Sequence, residues 1–130
     1  MSIDIYKEII LDHYKNPRNF GTLPGISHMA QVSNPLCGDD ITMQVAVEGG
    51  VIKDIRFRGE GCAIAMATAS LLTEYAKKKI TTDLKSLNAG SILDLLAVKL
   101  SPNRLKCALV SLEALQKAIQ TYESKSKGSQ

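Results

Sequence analysis

The sequence predicts an α+β fold in which a three-stranded antiparallel sheet packs against several helices. Apolar and polar residues alternate with a period of two over Ile41–Val47 and again over Val51–Arg58, which is typical of strands with one buried face. Helical periodicity precedes and follows these strands. With 130 residues and 45% hydrophobic content, the chain is suited to one domain with a genuine core.

The first helix is predicted from Ile3 to Tyr14, where apolar residues recur at spacings of three and four. Pro17 ends it, because the residue before a proline is disfavoured in the helical region. His13 falls near the helix C-terminus, where an imidazole suits the helix dipole, and we favour this role over that of a ligand.

The sheet follows, with a shorter strand predicted over about His28 to Val32. Gly49-Gly50 joins the two longer strands, because both glycines allow the positive φ that a tight hairpin needs. We expect Val51, Ile55 and Phe57 to share the buried face of the last strand. The other face and the edge of the sheet are predicted to be polar.

The second half of the chain is predicted to be helical. A run rich in small residues extends from Cys62 to the lysines at 77–79. A second helical region covers about Leu84 to Leu100, with a break near Gly90 where Ser91 could cap a new start. Ser101-Pro102 opens a last helix that ends near Tyr122. We expect one domain over residues 1–123 and a flexible C-terminal tail over residues 124–130.

Three cysteines and one aspartate are the best indication of function. Cys37 lies in a loop with Asp39, Cys62 follows Gly-Glu-Gly at a predicted helix start, and Cys107 lies near the start of the last helix. Their odd number argues against a full disulfide framework. Three thiolates and a carboxylate would form a tetrahedral metal site if the fold brings them together. The alternative is that the cysteines are small buried apolar residues, and Cys107 suits this best.

Several of these residues have two interpretations. The positive end of a helix dipole would favour the thiolate of Cys62, the form that binds metals and attacks sulfur. Asp39 could be an oxygen ligand or could form an Asx-type turn after Gly38. Lys106 could lower the pKa of neighbouring thiols or could be an exposed side chain in the first helical turn.

Four segments, in order, resemble a known family. They are Tyr6-Lys7-Glu8-Ile9-Ile10-Leu11-Asp12-His13-Tyr14-Lys15-Asn16-Pro17-Arg18-Asn19, Asn34-Pro35-Leu36-Cys37-Gly38-Asp39, Gly59-Glu60-Gly61-Cys62-Ala63-Ile64 and Lys106-Cys107. Together they are similar to iron–sulfur cluster assembly proteins of the IscU, SufU and NifU N-terminal family. The similarity covers about the first nine-tenths of the chain.

The resemblance implies that Cys37, Asp39, Cys62 and Cys107 bind zinc or a [2Fe–2S] cluster at an exposed tip of an IscU/SufU-like domain. It also implies a scaffold or sulfur-transfer protein rather than a classical enzyme. A cysteine desulfurase, SufS- or IscS-like, would deliver persulfide sulfur, and downstream Fe–S acceptor proteins would receive the product. We expect Cys37 to be the persulfide acceptor, with Cys107 as the alternative.

Three departures from the family pattern indicate a short SufU-like member. Lys106 stands where scaffold members have histidine, and residues 100–104 lack the Leu-Pro-Pro-Val-Lys segment that a chaperone recognises. Lysine at this place resembles the SufU branch, although the stretch between Cys62 and Cys107 is too short for the insertion of that branch. The alternative function is a zinc-containing sulfurtransferase or desulfurase activator that never holds a cluster. A domain with three buried thiols and no metal is a third hypothesis.

Composition limits the other partners. A net charge of +3, 5% aromatic residues and no tryptophan argue against nucleic acid binding. No apolar run approaches the roughly 20 residues that span a bilayer. The absence of a leader pattern and the odd cysteine count favour a reducing cytoplasm. The N-terminal helix and the loop from Asn16 to Phe20 are expected to form part of the desulfurase-docking surface, because Lys15 and Arg18 lie beside the apolar Tyr14 and Phe20.

Overall fold

The structure, a computed structural model of the chain, describes residues 2–24, 28–35 and 38–128. It confirms the α+β fold. In chain order the elements are α1 (Ser2–Lys15), β1 (His28–Asn34), β2 (Asp39–Glu48), β3 (Val51–Glu60), α2 (Ala63–Ala76), α3 (Thr81–Lys85), α4 (Ala89–Leu96) and α5 (Pro102–Gly128).

The three strands form one antiparallel sheet in the order β1-β2-β3. Asn34 of β1 pairs with Asp39 of β2, and Asp40 pairs with Glu60 of β3. The start of β2 and the end of β3 therefore lie side by side at one end of the sheet.

Helices α5 and α2 cover one face of this sheet and pack against each other, and α1 packs on α2. The apolar alternation of β2 supplies the centre of the core, as predicted, because its odd-numbered side chains point toward these helices. The largest fully buried side chains are Ile41, Met43, Val45, Ile52, Ile55, Phe57, Leu72, Leu84, Ile92, Leu96, Leu115 and Ile119.

One predicted core residue of β3 is replaced by its neighbour. Ile52 is fully buried, whereas Val51 is only partly buried. The pairing of β2 with β3 shifts by one residue between Ala46 and Val47, which leaves Lys53 as the extra residue of a β-bulge. A bulge reverses the inward and outward alternation beyond it, so Ile52 takes the place predicted for Val51.

The helical region predicted from Leu84 to Leu100 is divided earlier than expected. The break lies between α3 and α4, and Asn88 rather than Ser91 is the N-cap of α4. The Asn88 side chain accepts a hydrogen bond from the Ser91 N–H at 3.1 Å, and Ser91 Oγ accepts one from the Asn88 N–H at 3.2 Å. This reciprocal cap satisfies the N–H groups of Asn88 and Ser91, so the helix starts before Gly90 and includes it.

The last helix is longer than predicted. It begins as expected, with Ser101 Oγ accepting a hydrogen bond from the Arg104 N–H at 3.4 Å, but it continues beyond Tyr122 to Gly128. The domain boundary at residue 123 stays a prediction, since α5 passes through it without a break.

The segment after α1 covers the outer edge of β3. The Gly21 N–H donates to the Phe57 carbonyl at 2.9 Å, and the Phe57 N–H donates to the Asn19 carbonyl at 2.9 Å. Phe20 packs edge-on against Phe57 with ring centroids 5.2 Å apart. Within the described ranges, no helix combines the length and the apolar character that crossing a membrane requires.

Candidate metal centre

Asp39, Cys62 and Cys107 meet at one end of the sheet. Asp39 is the first residue of β2, Cys62 is the N-cap of α2, and Cys107 lies in the second turn of α5. One ligand atom from each, a carboxylate oxygen or a sulfur, lies within 4.8 Å of the other two. Three residues that are far apart in the chain therefore lie close together in the fold.

The carboxylate of Asp39 is buried, with 1% of the residue exposed. Its Oδ1 accepts a hydrogen bond from the backbone N–H of Cys62 at 3.0 Å. This bond reaches across to α2, so the structure does not support an Asx-type turn after Gly38. Oδ2 is also buried and has no hydrogen-bond partner among the described residues.

A buried carboxylate oxygen without a partner is costly unless a cation or a donor satisfies it. Two sulfurs lie within 4.8 Å of the Asp39 carboxylate, and sulfur with one oxygen is a donor set that zinc accepts. The three residues therefore fit a bound zinc ion or the iron of a cluster. This fit rests on the orphaned oxygen and on the chemistry of the donors.

The strand beside the site requires glycine at one position. Gly59 has a φ of +135°, and a Cβ there would lie 1.9 Å from the carbonyl oxygen of Asp40. Only glycine allows β3 to approach the start of β2 this closely. The close approach keeps the end of β3, and hence the loop to Cys62, against Asp39.

The two described cysteines differ in exposure. Cys107 is 4% exposed and belongs to the hydrophobic core, whereas Cys62 is partly exposed. The two interpretations of Cys107 are compatible, since it is a small buried residue whose sulfur also lies close to Asp39 and Cys62. Lys106, beside it, is exposed and lines a surface cleft of about 270 Å³ with Asn34 and Leu109.

Cys37, the remaining predicted ligand and the expected persulfide acceptor, lies outside the described residues. Its part in the site stays a prediction. Asn34 and Gly38, on either side of its loop, are described, and Asn34 pairs with Asp39. The described residues on both sides of Cys37 therefore lie beside Asp39.

Neither histidine joins this group. The Nδ1 of His13 lies 2.7 Å from Ser70 Oγ, and its Nε2 lies 3.7 Å from a carboxylate oxygen of Glu74. The ring of His28 packs edge-on against Tyr122 at 5.4 Å. Ser70 was not among the residues predicted from the sequence, although a serine among the alanines of a buried helix is a signal for a polar partner.

Residues 5–129 match the model of the NifU-like N-terminal domain family. The chain is 38% identical, over 92% of its length, to the zinc-dependent sulfurtransferase SufU of Bacillus subtilis (strain 168), of which it covers 92%. It is 35% identical, over 92% of its length, to the iron-sulfur cluster assembly scaffold protein IscU of Escherichia coli (strain K12), of which it covers 95%. A solved structure described as a scaffold protein for the SUF system, from Fervidobacterium islandicum AW-1, superposes with a TM-score of 0.76 at 28% identity, covering 92% of this chain and 99% of that one.

Proposed function

Because this chain belongs to the family of NifU-like N-terminal domains, we propose that it is an iron–sulfur cluster assembly protein. It accepts persulfide sulfur from a cysteine desulfurase and assembles or relays a [2Fe–2S] cluster, or the sulfur itself, to acceptor proteins. Named relatives of both kinds, the sulfurtransferase SufU and the scaffold IscU, support this function. A reducing cytoplasm is the compartment that suits it.

The observation that carries this proposal is the convergence of Asp39, Cys62 and Cys107 around a buried carboxylate oxygen that has no hydrogen-bond partner within the described part of the chain. With Cys37 these residues supply three sulfurs and one oxygen. The soft thiolates bind iron or zinc firmly, whereas the oxygen ligand exchanges more readily. Such a mixed donor set suits a site that must both hold a metal and release it.

Cys37 is the proposed acceptor of sulfur. Its thiolate attacks the terminal sulfur of the desulfurase persulfide, a new S–S bond forms on Cys37, and the desulfurase cysteine leaves as a thiolate. Cys107 is less suited to this step because it is 4% exposed and is held within a helix. Attack on a partner's persulfide requires access to the sulfur.

A second function is also consistent with the site. In it the same four residues hold one zinc ion permanently, and the chain acts as a sulfurtransferase or activator of the desulfurase without holding a cluster. The zinc-dependent relative SufU and the lysine at position 106 favour this alternative. Zinc would supply a Lewis-acid centre that keeps its thiolate ligands deprotonated.

Anaerobic reconstitution separates the two functions. The protein is incubated with iron, cysteine and a desulfurase, and visible absorption and metal content are measured. A stable sulfur-to-iron charge-transfer spectrum supports the scaffold, and retention of one zinc per chain with faster desulfurase turnover supports the sulfurtransferase. The proposed site would be contradicted if wild type gave neither of these results and Cys62→Ser bound zinc as wild type does.

Mass spectrometry identifies the sulfur acceptor. After brief incubation with desulfurase and cysteine, wild type and Cys107→Ser should both carry one added sulfur, whereas Cys37→Ser should not. The opposite pattern, with the persulfide kept in Cys37→Ser and lost in Cys107→Ser, would assign the role to Cys107.

A further inference from the structure

We propose that Gly61 is a positioning residue for the metal centre, because the absence of a side chain there lets the Asp39 carboxylate lie against the Gly61–Cys62 peptide. This inference rests on the proposed function of the site. It adds a residue that neither binds metal nor transfers sulfur but determines where the oxygen ligand lies.

The geometry around Gly61 leaves no room for a methyl group. A Cβ at this position would lie 2.6 Å from Asp39 Oδ1 and 3.2 Å from Asp39 Cγ. It would also lie 3.2 Å from the Cβ of Ala65, in the first turn of α2. The methyl group would thus be confined between the carboxylate on one side and the helix on the other.

Backbone conformation does not explain the glycine. Among the described glycines, Gly61 is not one of those with positive φ, whereas Gly59 is. An alanine at position 61 could therefore adopt the native backbone, and its cost would come from the contacts of its methyl group. The shortest of these contacts is with the Asp39 carboxylate.

A displaced carboxylate would lose its fixed orientation. Oδ1 is held by the Cys62 N–H at 3.0 Å, whereas the buried Oδ2 has no hydrogen-bond partner in residues 2–24, 28–35 and 38–128. The backbone of Asp39 cannot follow the side chain freely, because it is paired with Asn34 in the sheet. Alanine at position 61 should therefore move the carboxylate away from the Cys62 peptide while Cys62 and Cys107 keep their sulfurs in place.

The first measurement is zinc affinity by competition with a chromogenic chelator at fixed pH. We expect Gly61→Ala to weaken zinc binding about 10- to 100-fold, the usual effect of losing a group that orients a ligand. Gly90→Ala is the matched control, since Gly90 also lies at a helix start and its Cβ would meet a side-chain oxygen, that of Asn88, at 3.2 Å. This control should bind zinc like wild type.

A double-mutant cycle tests the route of the effect. Once Asp39→Ala has removed the carboxylate, adding Gly61→Ala should change zinc affinity by less than about twofold. Gly61→Ala with Ala65→Gly removes the helix contact but keeps the contact with Asp39, so it should stay as weak as Gly61→Ala. Recovery of affinity in this pair, or an equal loss from Gly61→Ala in the Asp39→Ala background, would overturn the proposal.

Cobalt substitution supplies a spectroscopic readout. Gly61→Ala should keep the sulfur-to-cobalt charge-transfer intensity of wild type, because the cysteines remain, while its d–d bands move toward those of Asp39→Ala. If Gly61→Ala alone does not fold, the double variant Asp39→Ala with Gly61→Ala should fold, because the carboxylate that the methyl group would meet is gone. Failure of both variants to fold would overturn the proposal. Wild type without zinc affinity would contradict the proposed function, whereas normal affinity in Gly61→Ala would contradict only the role of Gly61.

Discussion

The buried imidazole of His13 and the hydroxyl of Ser70 join α1 to α2, with Nδ1 and Oγ 2.7 Å apart. Ser70 Oγ also accepts a hydrogen bond from the backbone N–H of Arg18 at 2.8 Å. One hydroxyl thus fixes both the end of α1 and the segment that follows it. Because the hydroxyl accepts from Arg18, its own proton is available to a neutral imidazole nitrogen.

The first prediction concerns pH. Burial lowers the pKa of His13 from its usual 6.5, and the positive charge of Arg18 lowers it further, against the opposing effects of Glu74 and Asp12. The unfolded chain therefore binds the proton more readily than the folded chain does. The contribution of His13 to the free energy of unfolding is fully present above pH 6.5, its pKa in the unfolded chain. As the pH falls from there toward the lower pKa of the folded state, this contribution decreases by at most about 1.4 kcal/mol per pH unit.

Urea unfolding of the metal-free protein between pH 7.5 and 5 measures this loss. His13→Gln should flatten the dependence, because no group titrates at that position. An unchanged slope in His13→Gln would assign the pH dependence to other groups.

The second prediction concerns Ser70. Ser70→Ala leaves the His13 ring and the Arg18 N–H without their partner, so we expect a loss of about 1–3 kcal/mol in the free energy of unfolding. Ser111 is a matched buried serine whose hydroxyl donates within its own helix, to Ala108. Ser111→Ala should cost less, and equal losses measured by chemical denaturation would argue against a special role for Ser70.

The third prediction compares two glycines with positive φ. Gly49 has a φ of +60° and open space around its would-be Cβ, whereas Gly59 would place a Cβ 1.9 Å from the Asp40 carbonyl. Gly49→Ala should cost only the backbone strain, about 1–2 kcal/mol. Gly59→Ala should cost clearly more and should also weaken zinc binding, because β3 would move away from Asp39. Thermal unfolding with and without zinc checks both effects.

The fourth prediction concerns the desulfurase. Tyr14 and Phe20 are 43% and 49% exposed, as a docking surface requires, but Arg18 is half-buried and bonded to Asp12 at 2.6 Å. Tyr14→Ala should therefore test docking better than a change at Arg18, which would also disturb the fold. We expect at least a fivefold loss of desulfurase affinity, the threshold of about 1 kcal/mol for an energetically important contact.

Ile80 provides the control for this docking surface. It is 49% exposed and pairs with Val51, at the opposite end of β3 from the metal centre. Ile80→Ala should leave desulfurase affinity unchanged in a titration by fluorescence or calorimetry. Unchanged affinity in Tyr14→Ala would place the docking surface elsewhere.

Local patterns in the sequence determined most of the fold. The alternation in β2, the Gly49-Gly50 turn and the Ser101 cap each depend on neighbouring residues, so they could be recognised without knowing what packs against them. Candidate ligands could be proposed for the same reason, since thiols and carboxylates have characteristic metal preferences. The break before α4 and the place of Ile52 in the core were missed because a cap and a bulge compete with simple periodicity.

Only the tertiary structure decided how the site is built. The sequence named Asp39 as a ligand, but the bond from its Oδ1 to the Cys62 N–H joins residues that no local pattern relates. The contacts at Gly61 and the burial of Cys107 likewise depend on how α2, α5 and the sheet pack together. Side-chain chemistry is a property of single residues, whereas its position and its exposure to water are set by packing between distant segments.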